Sequence, residues 1–297
     1  SALTLLLGVV AISWAAIFVR LADEAPALTL AAYRLLVGAL LVLAFAAAVG
    51  SGSRRSAFAG RSVAWFVVGG VVLGAHFWSW FTSLQWTSVG SSVVIIGLQP
   101  LLAALMARWW LAERPTPAEW WGMVLATVGV VAIGIGDLEA GRRALLGDLL
   151  AFVGAVLGAA YRTIGRAAQP ALDPVTYSAG VYTVACLLVW ASALGTGART
   201  TGFAPETWLW IALLGLVSQA VGHTALNWAL GRYRVATVSL LAQAEPVLAT
   251  LLAIPILGEQ PAAGVLVGAP FVLAGVALAI PRSEARRTSI GTRSVTE

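Results

Sequence analysis

Two histidines and one glutamate are the residues that could do chemistry inside the apolar segments of this sequence. His76 and His223 each lie in a long apolar run, and Glu245 directly precedes Pro246 in another. An imidazole can hydrogen-bond a small polar molecule or take up a proton near neutral pH, although a lone buried histidine is more often a core residue. A carboxylate in such a run could bind an ammonium group, carry a coupling proton or pair with an arginine. These residues therefore predict small-molecule binding and leave proton coupling open.

Helical spacing places further polar and aromatic side chains on the same faces. His76 and Trp80 are four residues apart, as are His223 and Asn227, so each pair shares one helix face that should look into the bundle or a cavity. Trp14 and Trp80 stand far from the ends of their runs and suit an apolar pocket for an uncharged or aromatic ligand. The residues predicted to bind substrate are Trp14, His76, Trp80, Gln99, Tyr161, His223, Asn227, Gln243 and Glu245.

The motifs of catalysis and of metal or cofactor binding are missing from the sequence. The single Cys186 excludes a Cys-based metal site, and the sequence contains no HExxH, GxGxxG or P-loop pattern. A serine–histidine hydrolase stays open, but it leaves the internal repeat described below unexplained. The sequence thus predicts no enzyme, no cofactor and no bound metal.

The composition is that of an integral membrane protein. Of the 297 residues, 60% are hydrophobic and only 10% are charged, with a mean hydropathy of +0.89, which leaves too little charge to cover a soluble surface. Backbone polar groups in hydrocarbon must pair internally, and apolar runs of about 20 residues without strict alternation favour helices. We therefore predict an all-α integral membrane fold that contacts the lipid bilayer and no nucleic acid.

Turn signals divide the chain into ten predicted transmembrane spans, numbered in chain order. They run over 2–20, 27–49, 62–84, 89–111, 118–136, 147–167, 174–195, 206–230, 235–257 and 261–281, and a polar tail, 282–297, is predicted to be disordered. With both termini in the cytoplasm, thirteen arginines fall on that side, Arg162 and Arg166 among them, and four fall opposite. Arg34 is the only arginine that this count assigns to the membrane interior rather than to a connection, and we expect it to snorkel or to pair with Asp23 or Glu24. The bias predicts cytoplasmic termini. All 18 basic residues are arginine, and together with the richness in Ala, Gly and Val this suggests a GC-rich bacterial genome and hence a bacterial inner (cell) membrane.

The two halves of the chain are related by an internal repeat with a spacing of 146 residues. The segments 100–115 and 246–261 share eight of sixteen residues, including Pro100 with Pro246 and Glu113 with Glu259. A unit of five spans must enter the membrane from the opposite side in its second copy, as in the inverted repeats of secondary transporters. We predict a first repeat at 1–137, a second at 138–281, and hinges at the two mid-membrane prolines, with static kinks as the alternative. The two glutamates are predicted to form turns and helix caps.

The sequence also resembles the ten-span EamA-type members of the drug/metabolite transporter superfamily over residues 2–281. The resemblance is carried by Trp14 through Arg20, the Tyr33–Arg34 pair, the proline and glutamate of spans 4 and 9, Gly147–Asp148 with Tyr161 and Arg166, and the paired glycines of spans 5 and 10. The run GAHFWSWFTSLQWTS is similar to that of aromatic amino-acid exporters. The resemblance implies a central pathway lined mainly by spans 1, 3, 4, 6, 8 and 9.

The leading hypothesis is a secondary transporter that exports small metabolites, most of all aromatic and other neutral amino acids, by alternating access. A multidrug or cation exporter stays open because Glu245 could serve a cation. Sugar-phosphate exchange would need several intramembrane basic residues, and only Arg34 is expected there. An intramembrane enzyme and a passive channel are the remaining alternatives.

Overall fold

A computed structural model of the protein describes residues 2–49, 60–83, 86–87, 89–134, 141–258 and 263–279. Every regular element in these ranges is helical. The helices are Ala2–Leu21 (span 1), Ala27–Val49 (span 2), Gly60–Ser83 (span 3), Val89–Ile96 and Gln99–Trp110 (span 4), Pro117–Gly134 (span 5), Arg142–Ala168 (span 6), Pro174–Gly195 (span 7), Pro205–Leu213, Leu214–His223 and Thr224–Leu230 (span 8), Val235–Ala242 and Glu245–Leu257 (span 9), and Ala263–Ala279 (span 10).

The helices confirm the all-α membrane fold. Within the described ranges, seven are long and apolar enough to cross a membrane, and shorter apolar helices occupy the places of spans 4, 5 and 10. Span 6 begins at Arg142, five residues before its expected start, because a helix can continue past the apolar stretch that hydropathy marks. The predicted boundary between the repeats at 137/138 and the tail 282–297 lie outside the described residues.

Spans 4 and 9 are each broken in the middle by a turn. Pro100 and Pro246 are the second residues of the helices that follow the turns, a position where the missing N–H costs no helical hydrogen bond. A proline has no N–H for the carbonyl of the residue four positions earlier, so the prolines predict free carbonyl groups at Ile96 and Ala242. The described contact instead involves Gly97, whose carbonyl accepts a 2.8 Å hydrogen bond from Gln243 Nε2. Gly97 and Gln243 are 146 residues apart, so the two breaks are joined through equivalent positions of the two repeats.

Spans 5 and 10 reveal the orientation of the two repeats. A Cβ on Gly122 would lie 2.6 Å from the carbonyl oxygen of Gly275, and one on Gly129 would lie 2.6 Å from that of Gly268. As the residue number rises in one helix it falls in the other, so the helices pack antiparallel. Because Gly122 and Gly129 are the repeat mates of Gly268 and Gly275, a two-fold axis exchanges the two contacts. The repeats are therefore inverted.

The remaining packing follows the same symmetry. Span 3 packs on span 6, and its repeat mate span 8 packs on span 1, while spans 2 and 7 pack on each other. Span 8 departs from its mate in one respect, because Leu214–His223 is a π-helix. A π-helix holds more residues per turn than an α-helix, and such segments are frequent at functional sites. We attribute the 147-residue offset between His76 and His223, one more than elsewhere, to this segment.

Candidate functional site

A small cavity lies between spans 3, 4, 6, 8 and 9, which are five of the six spans expected to line a central pathway. Its walls are Leu73, His76, Gln99, Gly158, Tyr161, Arg162, His223, Leu226, Asn227, Leu230 and Val238. Five of the predicted binding residues are thus brought together: His76, Gln99, Tyr161, His223 and Asn227. The cavity volume of about 30 Å³ suffices for one or two water molecules. An amino acid would require the surrounding helices to separate.

His76 presents a defined edge to this cavity. Its Nδ1 lies 2.8 Å from the carbonyl oxygen of Gly154, and because a carbonyl only accepts, Nδ1 carries the hydrogen. In the neutral ring Nε2 is then an acceptor. The ring stacks on Trp80 at 5.9 Å between centroids, and the indole Nε1 of Trp80 is buried and has no hydrogen-bond partner among the described residues. Trp80 therefore supports the wall and carries an unused donor.

Tyr161 and Asn227 form a second, hydrogen-bonded part of the cavity wall. The Tyr161 hydroxyl donates to Asn227 Oδ1 at 3.0 Å, and Asn227 Nδ2 lies 2.7 Å from the same hydroxyl and 2.9 Å from Ser178 Oγ. The pair ties span 6 to spans 7 and 8. Because each side chain uses most of its hydrogen-bonding capacity on the other, the pair mainly fixes the shape of the cavity wall.

Arg162 corrects the sequence analysis, which placed it among the cytoplasmic arginines. It lies within span 6 on the cavity wall, and its Nη1 donates to Gln99 Oε1 at 2.8 Å. Arg162 lies near the polar cytoplasmic end of span 6, and hydropathy alone does not distinguish an arginine inside the span from one in the connection that follows. Helical spacing could have done so, because Gly154, Gly158 and Arg162 recur every fourth residue on one face.

Arg34 also departs from the expectation. Instead of snorkelling or pairing with Asp23 or Glu24, its side chain is buried, its Nε donates to Gln219 Oε1 at 2.8 Å, and its guanidinium lies 4.9 Å from the ring centroid of Phe77. The reason is packing, since Gly38 leaves room for Gln219 against span 2. Glu24 instead accepts hydrogen bonds from Ala204 N and Thr207 Oγ1 at the start of span 8.

Glu245 opens the second helix of span 9, where the positive end of the helix dipole favours its charge. It interacts electrostatically with Arg34 and Arg162, so it belongs to the charge cluster beside the cavity. Gln243 is committed to the Gly97 carbonyl and does not line the cavity.

Trp14 lies apart from the cavity. Its ring stacks on Phe18 at 5.6 Å, in an apolar cluster that includes Phe203 and Leu214. Any contact between Trp14 and a substrate would therefore need a different arrangement of span 1, and its predicted binding role stays a proposal.

Polar contacts join the ends of spans 4, 6 and 8 and the start of span 9 on one side of the membrane. We call the surface formed by Glu113, Arg166, Leu230 and Val235 the Glu113 face. Arg166 Nε lies 2.6 Å from Glu113 Oε1, and Arg166 Nη1 donates to the Leu230 carbonyl at 2.9 Å. The backbone N–H of Val235 donates to Glu113 Oε2 at 3.0 Å. Glu113 thus does more than form a turn, because it ties the first repeat to spans 6 and 9. Its repeat mate Glu259 lies outside the described residues.

The neighbouring turn contains a capping box at the start of span 5. The Thr116 backbone N–H donates to Glu119 Oε2 at 2.6 Å, and the Glu119 N–H donates to Thr116 Oγ1 at 3.2 Å. Glu119 also accepts from the hydroxyl of Thr237 and lies 3.4 Å from Arg234 Nε. On the opposite face, Thr87 Oγ1 donates to Asp148 Oδ1 at 2.7 Å. Polar contacts therefore join the spans on both sides of the cavity.

Comparison with known proteins places this architecture among transporters. The model of the EamA-like transporter family matches residues 1–135 and 145–280. The chain is 26% identical over 244 residues to the uncharacterized transporter YyaM of Bacillus subtilis, covering 80% of this chain and 78% of that protein. It is 29% identical over 220 residues to a probable terminal-alkyne amino-acid exporter of Streptantibioticus cattleyicolor, covering 70% and 71%.

A protein solved by crystallography has the same fold. It superposes with a TM-score of 0.82 at 21% identity, over 94% of this chain and 95% of that one. The family model covers both halves of the chain, in agreement with the inverted repeats. The chain therefore belongs to the EamA-like transporter family.

Proposed function

We propose that the chain exports neutral amino acids, aromatic ones above all, by alternating access through the central cavity. Membership of the family makes it a multi-pass membrane transporter with a small-molecule substrate. The observation that carries the finer proposal is a cavity with polar and apolar walls between two inverted repeats, beside a broken helix from each repeat and with polar contacts between the spans on both sides of it. Such breaks at matching positions point to a binding site in transporters of this construction.

The cavity wall suits an amino acid in both its polar and its apolar parts. His76, Gln99 and His223 supply hydrogen-bonding groups, while Leu73, Leu226 and other apolar residues supply contact for a side chain. Phe77 and Trp80 stand behind His76 and extend the apolar surface. The printed name of the Streptantibioticus relative, an amino-acid exporter, supports the same substrate class.

The breaks in spans 4 and 9 supply the moving parts of this proposal. Pro100 and Pro246 lie in the first turn of the second helix of each span, and a helix that is already interrupted can change direction without losing a further backbone hydrogen bond. Gln243 joins the two turns, so that a movement of one break is passed to the other. We assign the hinges to these two positions.

Orientation and energy supply complete the proposal. The arginine bias supports an orientation in a bacterial inner membrane with both termini on the cytoplasmic side, and the Glu113 face is then the cytoplasmic face. Moving Arg162 from the cytoplasmic set into the cavity leaves twelve arginines against four. Glu245 is the group that would carry a coupling proton.

Counterflow into proteoliposomes tests the proposal. Vesicles loaded with an unlabelled amino acid are diluted into labelled tryptophan, phenylalanine, threonine or alanine at two pH values. Transient accumulation of the aromatic or large neutral labels supports it, and a pH-dependent rate supports proton coupling. Absence of accumulation for every amino acid, together with accumulation of a lipophilic cation, would replace it with cation export. Leakage without accumulation would indicate a channel.

A further inference from the structure

We propose that the central cavity recognises the carboxylate group of its substrate and that Arg162 is the residue that binds it. This inference rests on the proposed function, because it concerns the same cavity. It adds the chemical class of the substrate and the residue that determines specificity.

The first step is the charge balance beside the cavity. Glu245 interacts electrostatically with two arginines there, Arg34 and Arg162. Two positive charges thus face one negative charge in the interior of the bundle. An unbalanced charge at this depth is expensive for the folded chain and usually marks a functional position.

The second step separates the two arginines. Arg34 is buried between spans 2 and 8, bonded to Gln219 and placed over Phe77, and it is absent from the cavity wall. Its charge is positioned by packing and is offset by Glu245. Arg162 lines the cavity, where a substrate can reach it, so the remaining positive charge belongs to the binding surface.

The third step is the geometry of the guanidinium. Arginine carries five N–H donors in a planar fork that matches the two oxygens of a carboxylate. Gln99 accepts from Nη1 of Arg162 at 2.8 Å and thereby orients the group. Gly158 lets Gln99 pack closely against span 6, since a Cβ there would lie 2.7 Å from Gln99 Nε2. The site therefore presents an oriented cation on the cavity wall.

Selectivity follows from this arrangement. A carboxylate supplies the negative charge that the cluster lacks, and it would supply it at the cavity wall, which Arg162 lines and Glu245 does not. An amine without a carboxylate would place its positive charge beside Arg162 and bring nothing to balance it. The cavity should accept amino acids and simple carboxylates and reject the corresponding amines and amides.

The test measures dissociation constants by calorimetry on the purified full-length chain. The probes are L-phenylalanine, L-threonine and 3-phenylpropanoate, with L-phenylalaninamide and 2-phenylethylamine as matched compounds that lack the carboxylate. The variants are Arg162→Gln and Arg162→Lys, with Arg108→Gln as the control, since Arg108 is exposed at the end of span 4. Melting temperatures check that each variant is folded.

We expect the wild type and the Arg108→Gln variant to bind carboxylates and neither matched compound. Arg162→Gln should weaken carboxylate binding roughly 10- to 100-fold, the effect of losing a hydrogen bond to a charged group, and Arg162→Lys should lose less. The inference is overturned if the amide or amine binds as tightly as phenylalanine, if no carboxylate binds, or if folded Arg162→Gln keeps wild-type affinity. Carboxylate-selective binding without counterflow would refute the proposed function alone.

Discussion

Replacing Glu113 with glutamine should open the Glu113 face of the cavity. Its carboxylate accepts from Arg166 Nε at 2.6 Å and from the Val235 N–H at 3.0 Å, and the Arg166 and Glu113 side chains are 31% and 14% exposed. Exposed ion pairs contribute about 0.2–1 kcal/mol, and hydrogen bonds to charged groups about 1.5–3 kcal/mol. For this partly buried pair we take about 1–2 kcal/mol of preference for the closed face, roughly a 5- to 30-fold shift in population.

Cysteine labelling can measure this shift. Cys186 is the only cysteine in the sequence, so a Cys186→Ser background with Leu230→Cys places one thiol on the cavity wall beside the Arg166 contact. A membrane-impermeant maleimide is applied to vesicles of each orientation. Labelling from the Glu113 face should accelerate roughly 5- to 30-fold in Glu113→Gln, and labelling from the other face should not.

The control is Glu206→Gln, which removes a carboxylate from an exposed position at the opposite end of span 8. It should leave both rates as they are. Equal labelling of Glu113→Gln and the background from both faces would show that the ion pair does not hold the cavity closed, and the reasoning would fail.

Three further predictions concern the hinge, the buried charges and the helix packing. Pro246→Ala should lower the turnover of counterflow more than it raises KM, because it lets span 9 run through its break. Arg34→Gln should lower stability by about 1.5–3 kcal/mol because it breaks the buried hydrogen bond from a charged donor to Gln219 and removes one of the two cations near Glu245, and Glu245→Gln should then cost less in the Arg34→Gln background than in the wild type. Gly129→Ala should destabilise by about 1–3 kcal/mol, since its Cβ meets a carbonyl of span 10 at 2.6 Å, whereas Gly195→Ala meets nothing within 4 Å.

Kinetic constants from counterflow check the first of these predictions, and thermal unfolding in detergent checks the other two. Unchanged turnover in Pro246→Ala would remove the hinge. Strictly additive losses in the Arg34 and Glu245 double variant would mean that the two charges do not compensate each other. Equal melting temperatures for the two glycine variants would contradict the close packing of spans 5 and 10.

The membrane fold was predictable because its signals are long and repeated. Apolar runs recover the ten spans, and the 146-residue spacing of Pro100 with Pro246 relates the broken helices of the two repeats. Helical spacing also placed His76, His223 and Asn227 on inward faces, and the cavity brings them together. These inferences succeed because they depend on local periodicity, which a single sequence contains.

The charge cluster was not predictable to the same degree, because it depends on contacts between distant spans. Arg34 and Gln219 are 185 residues apart, and Arg162 and Gln99 are 63 apart. The sequence shows neither pair. The sequence likewise shows that Gln243 is polar, but it does not show that the Gln243 amide donates to the Gly97 carbonyl.

Trans-acceleration of efflux tests the central claim of alternating access most directly. Proteoliposomes loaded with labelled phenylalanine are diluted into buffer with or without unlabelled phenylalanine. A carrier that exposes one cavity to each side in turn should release label faster when the outer solution contains substrate, because the loaded form returns faster than the empty one. Equal or slower release with external phenylalanine, at a rate proportional to the gradient, would contradict the account and indicate a pore.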